Sequence, residues 1–358
     1  MREPVNLFDF EESARNKLSK MAFDYFASGA NDEITMRENH AAYDRIKLKY
    51  RVLKDIRNRD LRTSILGHLV SMPLVIAPTA FHKMAYPEGE IATVKAAGNA
   101  GSIMILSTLS NTSIEEVLEA ATEPVWFQLY VYKDRGATRA LIERAVAAGC
   151  SAIVLTADAQ IWGRREADIR NRFQLPENLS VKNLMPAGKD KLPKLAAESG
   201  LAAYVASLFD QSLSWKDLDW LCSQSNLPVL LKGILHPDDA KKSLDYGVAG
   251  IVVSNHGGRQ LDTAPATIEV LQEIVNAAGE NVEILIDGGI RRGTDILKAL
   301  ALGAKAVGIG RPVLWGLASA GQKGVESVLD ILRAELDVAM GLYGYCSVSE
   351  IDRDVISK

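Results

Sequence analysis

Cysteine is scarce: the 358 residues hold three, Cys150, Cys222 and Cys346, far apart along the chain. That spacing gives neither a disulfide framework nor a thiolate metal site, and it suits a reducing compartment. Cys150 closes a helical pattern and reads as a small core residue rather than a nucleophile. No apolar run approaches the ~20 residues of a membrane span. Positive charge is not in excess either. A net charge of −4 and a pI near 5.9 argue against a nucleic-acid or anionic-membrane partner. The phosphate-binding fingerprints of P-loop and dinucleotide-binding proteins are absent. The first residues, MREPVNLFDFEE, carry acids and no long apolar core, so no signal peptide is expected. The last, Val355-Ile356-Ser357-Lys358, stop short of a Ser-Lys-Leu peroxisomal address. The cytoplasm is the default expectation.

What is present is ordinary for a globular protein, at 47% hydrophobic and 24% charged residues, in a chain long enough for one large domain or two modest ones. Residues 1–60 read as a helical extension. Phe8, Leu18, Met21, Phe23, Tyr25 and Phe26 fall in helix-like clusters, Ser28 to Asp32 interrupts them, and Glu33–Tyr43 resumes a helix. On this pattern Tyr25 is a packed aromatic. From residue 73 to 342 apolar strand-like runs alternate with amphipathic helices. The runs are Leu74–Ala77, Ile103–Leu106, Val125–Leu129, Ala152–Thr156, Val229–Leu231, Ile251–Val253, Glu283–Ile286 and Ala306–Ile309; the last helix is expected over Val325–Leu342. Gly101, Gly149, Gly247, Gly279 and Gly303 close helices. Eight such alternations predict a (β/α)8 barrel, with an open doubly wound sheet as the alternative. The rhythm fails between residues 163 and 227, where a polar stretch rich in proline and lysine predicts an inserted lid loop.

In a barrel of this kind chemistry sits at the C-terminal ends of the strands. Polar groups recur there and are scarce within the strands. After Ile251–Val253 comes Ser254-Asn255-His256-Gly257-Gly258-Arg259: an imidazole able to take a proton near neutral pH, and a guanidinium able to grip a carboxylate. The plainer alternative is a polar loop. After the last two strands come Asp287-Gly288-Gly289-Ile290-Arg291-Arg292-Gly293 and Gly308-Ile309-Gly310-Arg311. Glycines bare backbone N–H groups and arginines add charge, so these loops predict a bound phosphate, either of a phosphorylated substrate or of FMN. Lys232, at the end of Leu230-Leu231-Lys232, is costly to bury without an anionic partner.

The chain resembles the FMN-dependent 2-hydroxy-acid oxidases and dehydrogenases, a group that includes glycolate oxidase, L-lactate oxidase and mandelate dehydrogenase. The likeness runs through nearly its whole length. It rests on YFASGAND from Tyr25 to Asp32, Ala77-Pro78-Thr79-Ala80, Gln128-Leu129-Tyr130, RREAD from Arg164 to Asp168, Lys232-Gly233, SNHGGRQLD from Ser254 to Asp262, the Asp287 loop and Gly310-Arg311.

The resemblance implies a single FMN domain and assigns roles. His256 would be the base, with Asp158 steadying its charged form. Arg259 and Arg165 would bind the substrate carboxylate, and Tyr25 and Tyr130 would hydrogen-bond the substrate. Pro78, Thr79 and Ala80 would line the flavin. Ser107, Gln128, Thr156, Lys232 and Ser254 would hold its ring and ribityl parts. Asp287, Gly288, Gly289, Ile290, Arg291, Gly310 and Arg311 would hold the phosphate end. A homotetramer is implied too, and no metal.

The chain also departs from the pattern. Leu109 stands where glycolate oxidases carry a tryptophan, as in cyanobacterial lactate oxidases, whereas Thr79 and Val205 look like the glycolate type. Gln160 and Trp162 are unusual in the segment before Gly163 and alter the pocket wall. The expected activity is oxidation of small L-2-hydroxy acids, L-lactate and glycolate, to 2-oxo acids, with dioxygen reduced to hydrogen peroxide. The alternatives are a dehydrogenase passing electrons to a quinone or other acceptor, and a non-redox barrel binding a sugar phosphate.

Overall fold

The eight apolar runs form strands because each is rich in β-branched and leucine side chains and buried on both faces. In the computed structural model, which describes residues 3–183 and 208–357, they are β3 (Leu74–Ile76), β4 (Ile103–Ser107), β5 (Val125–Leu129), β6 (Ala152–Thr156), β7 (Val229–Ile234), β8 (Gly250–Val253), β9 (Glu283–Asp287) and β10 (Ala306–Ile309). They pair in parallel, in chain order, and β10 returns to β3 to close the barrel. Closure rules out the open sheet.

Two shorter strands precede the barrel, β1 (Thr63–Ile65) and β2 (His68–Val70), paired as an antiparallel hairpin. Its Ile65 and Val70 pack with Val75, Ile105, Trp126, Val154, Val252 and Leu285 in the barrel interior. Leu66 N–H donates to the Glu283 carboxylate at 2.8 Å, tying the hairpin to the start of β9. The interior is therefore dry and filled at its N-terminal end.

Side chains alternate along a strand, so the positions that point inward recur every second residue. Following that period from the apolar interior toward the C-terminal rim, Ile105 leads to Ser107, Trp126 to Gln128, Val154 to Thr156, Leu230 to Lys232, and Leu285 to Asp287. The alternation that builds the core thus lays a polar layer on top of it.

The helical extension is α1 (Leu7–Lys17), α2 (Lys20–Ala27) and α3 (Ile34–Arg45). It is bolted to the C-terminal mouth. Asn39 and Asn255 exchange amide hydrogen bonds at 2.9 and 2.8 Å, and the Asp262 carboxylate accepts from Asp32 N–H and Thr35 N–H at 3.0 and 2.9 Å.

The C-terminal helix departs from expectation. It starts at Arg311 rather than Val325 and runs to Tyr343, broken at Ala320 and Gly321. Gly316, Gly321 and Gly324 dilute its apolar period, while Pro312, fixed in φ, starts it. Within the expected lid, the described residues form short helices at Glu166–Arg170 and Trp215–Cys222. Residues 184–207, which include Val205, lie outside the description.

Candidate active site

One cleft opens on the C-terminal rim. Most of the residues singled out in the sequence line it, among them Tyr25, Thr79, Leu109, Tyr130, Trp162, Arg165, Lys232, His256, Arg259, Asp287 and Arg311, with Pro78, Ala80, Ser107, Ile290, Arg291 and the glycines 288, 289 and 310. Gln128, Thr156, Ser254 and Asp158 stand one layer behind and touch the lining through hydrogen bonds. Gln128 takes Thr108 N–H at 3.1 Å and the Ser107 hydroxyl at 3.3 Å, and donates to Thr156 Oγ1 at 3.0 Å. Ser254 Oγ accepts from Lys232 Nζ at 2.8 Å and His256 N–H at 3.1 Å, and donates to Asp287 Oδ1 at 2.6 Å. Lys232 and Asp287 also form an ion pair at 3.2 Å, buried on both sides. A lysine ends a core strand because this carboxylate and hydroxyl receive it.

His256 is held in the left-handed backbone region, at φ +58°, an uncommon conformation for a residue with a side chain. Its Nδ1 lies 3.0 Å from Asp158 Oδ1. Asp158 reaches that point because Gly233 lies beneath it, in the bulge of β7 between Lys232 and Ile234. Gly233 has φ +104°, and a Cβ there would meet the Asp158 Cβ at 2.6 Å. Such bulges commonly sit at barrel rims beside active sites. Burial lowers the His256 pKa below the ordinary imidazole value, aided by Lys232 and Arg165, against the upward pull of Asp158. Burial would raise Asp158, but the imidazole and Lys232 outweigh it and hold the carboxyl below its ordinary value. The pair therefore stands at neutral pH as a neutral imidazole beside a carboxylate. Nδ1–H donates to Asp158, which leaves the Nε2 lone pair free.

Two arginines share the space above. Arg259 donates to the carbonyls of Tyr25 and Ser28 at 2.7 and 2.8 Å, and its guanidinium lies 5.1 Å over the Tyr25 ring. Arg165, 4% exposed, lies 4.5 Å over the Trp162 ring. Burial, and then repulsion from Arg259, push Arg165 down to about 10. Among the described residues neither arginine has an ion-pair partner; the buried Asp168 carboxylate acts on both only through space, so two positive charges face one negative. Burial raises Tyr25 and Tyr130, keeping both hydroxyls neutral.

At the far end of the cleft Arg311 donates to the carbonyls of Phe26, Gly257 and Ser28, and Arg291 to that of Ile290. Again no carboxylate pairs with either among the described residues. Burial and neighbouring arginines push Arg311 down to about 9, and burial pushes Arg291 to about 10. The C-terminal helix begins here, with Gly310 at its cap and no side chain on its first N–H groups. Gly289, at φ +85°, can only be glycine, since a Cβ would meet the Asn39 carbonyl oxygen at 1.9 Å. Two guanidinia, an uncapped helix end and bare glycine backbone suit a phosphate.

Some of this was not foreseen. Leu314, in the first turn of the C-terminal helix, lines the cleft; Pro312 was the available signal for an early helix start. Thr79 Oγ1 lies 2.6 Å from His82 Nε2, whose Nδ1 meets Thr93 Oγ1 at 2.9 Å. Phe173 stacks on Tyr25 at 4.3 Å and Phe209 on Tyr130 at 4.5 Å; no spacing in the sequence points to either pairing.

The family model of FMN-dependent dehydrogenases matches residues 14–358. The chain belongs to the FMN-dependent dehydrogenase family. It is 54% identical over 353 residues to an L-lactate oxidase of Nostoc sp., covering 98% of this chain and 97% of that one. It is 50% identical to a glycolate oxidase of Spinacia oleracea, covering 99% and 96%. A solved mandelate oxidase superposes with a TM-score of 0.92 at 42% identity, over 98% of each chain. FMN is the family's cofactor, and the cleft fits it: a phosphate-ready end, a polar rim layer, and the small residues Ala77 and Gly308 in its lining. Among the described residues there is no helix long and apolar enough to cross a membrane and no cluster suited to a metal ion.

Proposed function

We propose that this enzyme oxidises small L-2-hydroxy acids to 2-oxo acids, with dioxygen as final acceptor and hydrogen peroxide as product. The observation that carries the reading is the His256–Asp158 pair at 3.0 Å, facing two arginines without ion-pair partners and adjoining a cradle for FMN. Bound FMN supplies the two-electron acceptor and its reoxidation by dioxygen.

The chain supplies the rest. Arg259 and Arg165 bind the carboxylate and fix which face of C2 is presented. Tyr25 and Tyr130 donate neutral hydroxyls to the substrate oxygens. His256 takes the substrate's proton at Nε2, and Asp158 stabilises the imidazolium that forms. Arg291, Arg311 and the 288–289 glycines would hold the cofactor phosphate, and Lys232 would supply positive charge to its ring. Leu109, 3% exposed, forms the wall where a tryptophan would narrow the pocket, so L-lactate is at least as good a substrate as glycolate. A homotetramer forms part of the same reading.

Anaerobic mixing of the holoenzyme with L-lactate should bleach the flavin, and air should restore it with one peroxide per turnover. A flavin left oxidised by both L-lactate and glycolate would overturn the proposal.

A further inference from the structure

The two arginines of the site are held by different means. Arg259 is pinned by two backbone carbonyls. Arg165 has one long contact, Nε to the Arg259 carbonyl at 3.5 Å, and no ion-paired or hydrogen-bonded carboxylate among the described residues; the buried Asp168 acts on it only through space. What it does have is the Trp162 ring at 4.5 Å. We propose that Trp162 is a positioning residue: its indole face carries the Arg165 guanidinium and so sets the enzyme's grip on the substrate carboxylate. The proposal rests on the hydroxy-acid reading above.

The indole is itself well anchored. Its ring leans on Tyr130 at 6.3 Å and Phe209 at 6.2 Å, and those two stack on each other at 4.5 Å. The loop that carries it is stitched on both sides. Gln260 Nε2 donates to the carbonyls of Asp158 and Ile161 at 2.6 and 3.0 Å, Gly163 N–H donates to Gln260 Oε1 at 3.1 Å, and Asn31 N–H donates to the Arg164 carbonyl at 2.9 Å. A guanidinium held over an indole face by cation–π attraction keeps N–H groups free, and those are what a carboxylate needs. The stack, together with the through-space pull of Asp168, opposes the repulsion of Arg259.

A positioning role and a simple wall predict different patterns. A wall acts on the substrate's side chain, so its loss would separate L-lactate from glycolate. A support for Arg165 acts on the carboxylate that both share. In Trp162→Leu holoenzyme, the dissociation constants of L-lactate and glycolate, from anaerobic flavin reduction, should rise by the same factor, about 3- to 30-fold. The limiting reduction rate should change less. Oxalate, which cannot be oxidised, should weaken by that factor too, as read from perturbation of the flavin spectrum. Trp162→Phe should recover most of the loss and guards against a folding failure in the leucine variant. In an Arg165→Met background, Trp162→Leu should add nothing. Loss confined to one substrate, unchanged affinity, or full additivity with Arg165→Met would overturn the inference. Failure of the hydroxy-acid reading would look different: the wild type would not be reduced, while the oxalate comparison would still report on Trp162.

Discussion

Two walls enclose the cleft, one made by barrel strands and one by loops and the helical extension. The strand wall is Ser107, Lys232 and Asp287, backed by Gln128, Thr156 and Ser254. Each of its members stands where period-two alternation puts it, and hydrogen bonds of 2.6 to 3.3 Å join them. The loop wall is Tyr25, Leu109, Tyr130, Trp162, Arg165 and Arg259, brought together from distant parts of the chain and packed through ring faces. The strand wall is inseparable from the barrel's own stability. The loop wall can change with little cost to the barrel, and it is there that the residues expected to tune the pocket, Leu109 and Trp162, stand. Substitutions in the two walls should therefore fail differently.

His256 stands where the walls meet and should give the largest effect. Removing a general base typically slows reaction ~10²–10⁴-fold. His256→Gln should keep its flavin and lose that much in anaerobic reduction by L-lactate; near-normal reduction would sink the role. The pH dependence follows from the direction of its shift. A base with a depressed pKa stays active to lower pH, so the acid limb of kcat/KM should fall below the ordinary imidazole value near 6.5. Asp158 pulls that pKa upward. Asp158→Asn should therefore move the limb further to acid while lowering the plateau. A limb that moves to alkaline pH contradicts the assignment.

Lys232→Met tests the strand wall. It leaves Asp287 buried without its cation, and breaking a buried pair costs about 3–5 kcal/mol. Both thermal stability and cofactor retention should suffer, which melting curves with and without added FMN would show. Arg259→Met tests the loop wall. A buried charged hydrogen bond to substrate is worth on the order of 2–5 kcal/mol, so affinity and reduction rate should fall, while the melting temperature, lowered through the Tyr25 and Ser28 carbonyls, should fall less than in Lys232→Met. Arg165→Met should do the same but less, since Arg259 also satisfies two backbone carbonyls. Equal melting losses for Lys232→Met and Arg259→Met would erase the distinction between the walls.

The same division explains what could be read from the sequence. Strand runs and the polar residues after them are local patterns, so the barrel and its rim layer were legible residue by residue. Closure was not, because pairing of β10 with β3 joins residues more than two hundred positions apart. On the loop side only resemblance placed Tyr25 and Arg165 at the site. From its neighbours Tyr25 reads as a core aromatic, and it is one: 5% exposed and stacked on Phe173, yet with its other surroundings in the cleft. Burial and function coincide there, and hydrophobic pattern alone does not separate them. The hairpin that fills the barrel floor and Phe209 left no such pattern, and Leu314 only the indirect one of Pro312.

The smallest effect, and the sharpest probe of the loop wall, belongs to Leu109. It lines the cleft, buried, with its N–H on Ser107 Oγ at 3.1 Å and its carbonyl accepting from Phe81 N–H at 3.2 Å. The backbone is thus fixed from both sides, and a larger side chain must grow into the pocket rather than displace the loop. L-lactate carries a methyl on C2 where glycolate carries hydrogen, and one methyl in a fitting apolar pocket is worth roughly 1–3 kcal/mol. Leu109→Trp should take that space and shift the kcat/KM ratio toward glycolate by about 10-fold or more. Steady-state kinetics on both acids would decide it: a ratio that Leu109→Trp leaves unmoved would mean that the strand wall, not the loop wall, sets substrate size.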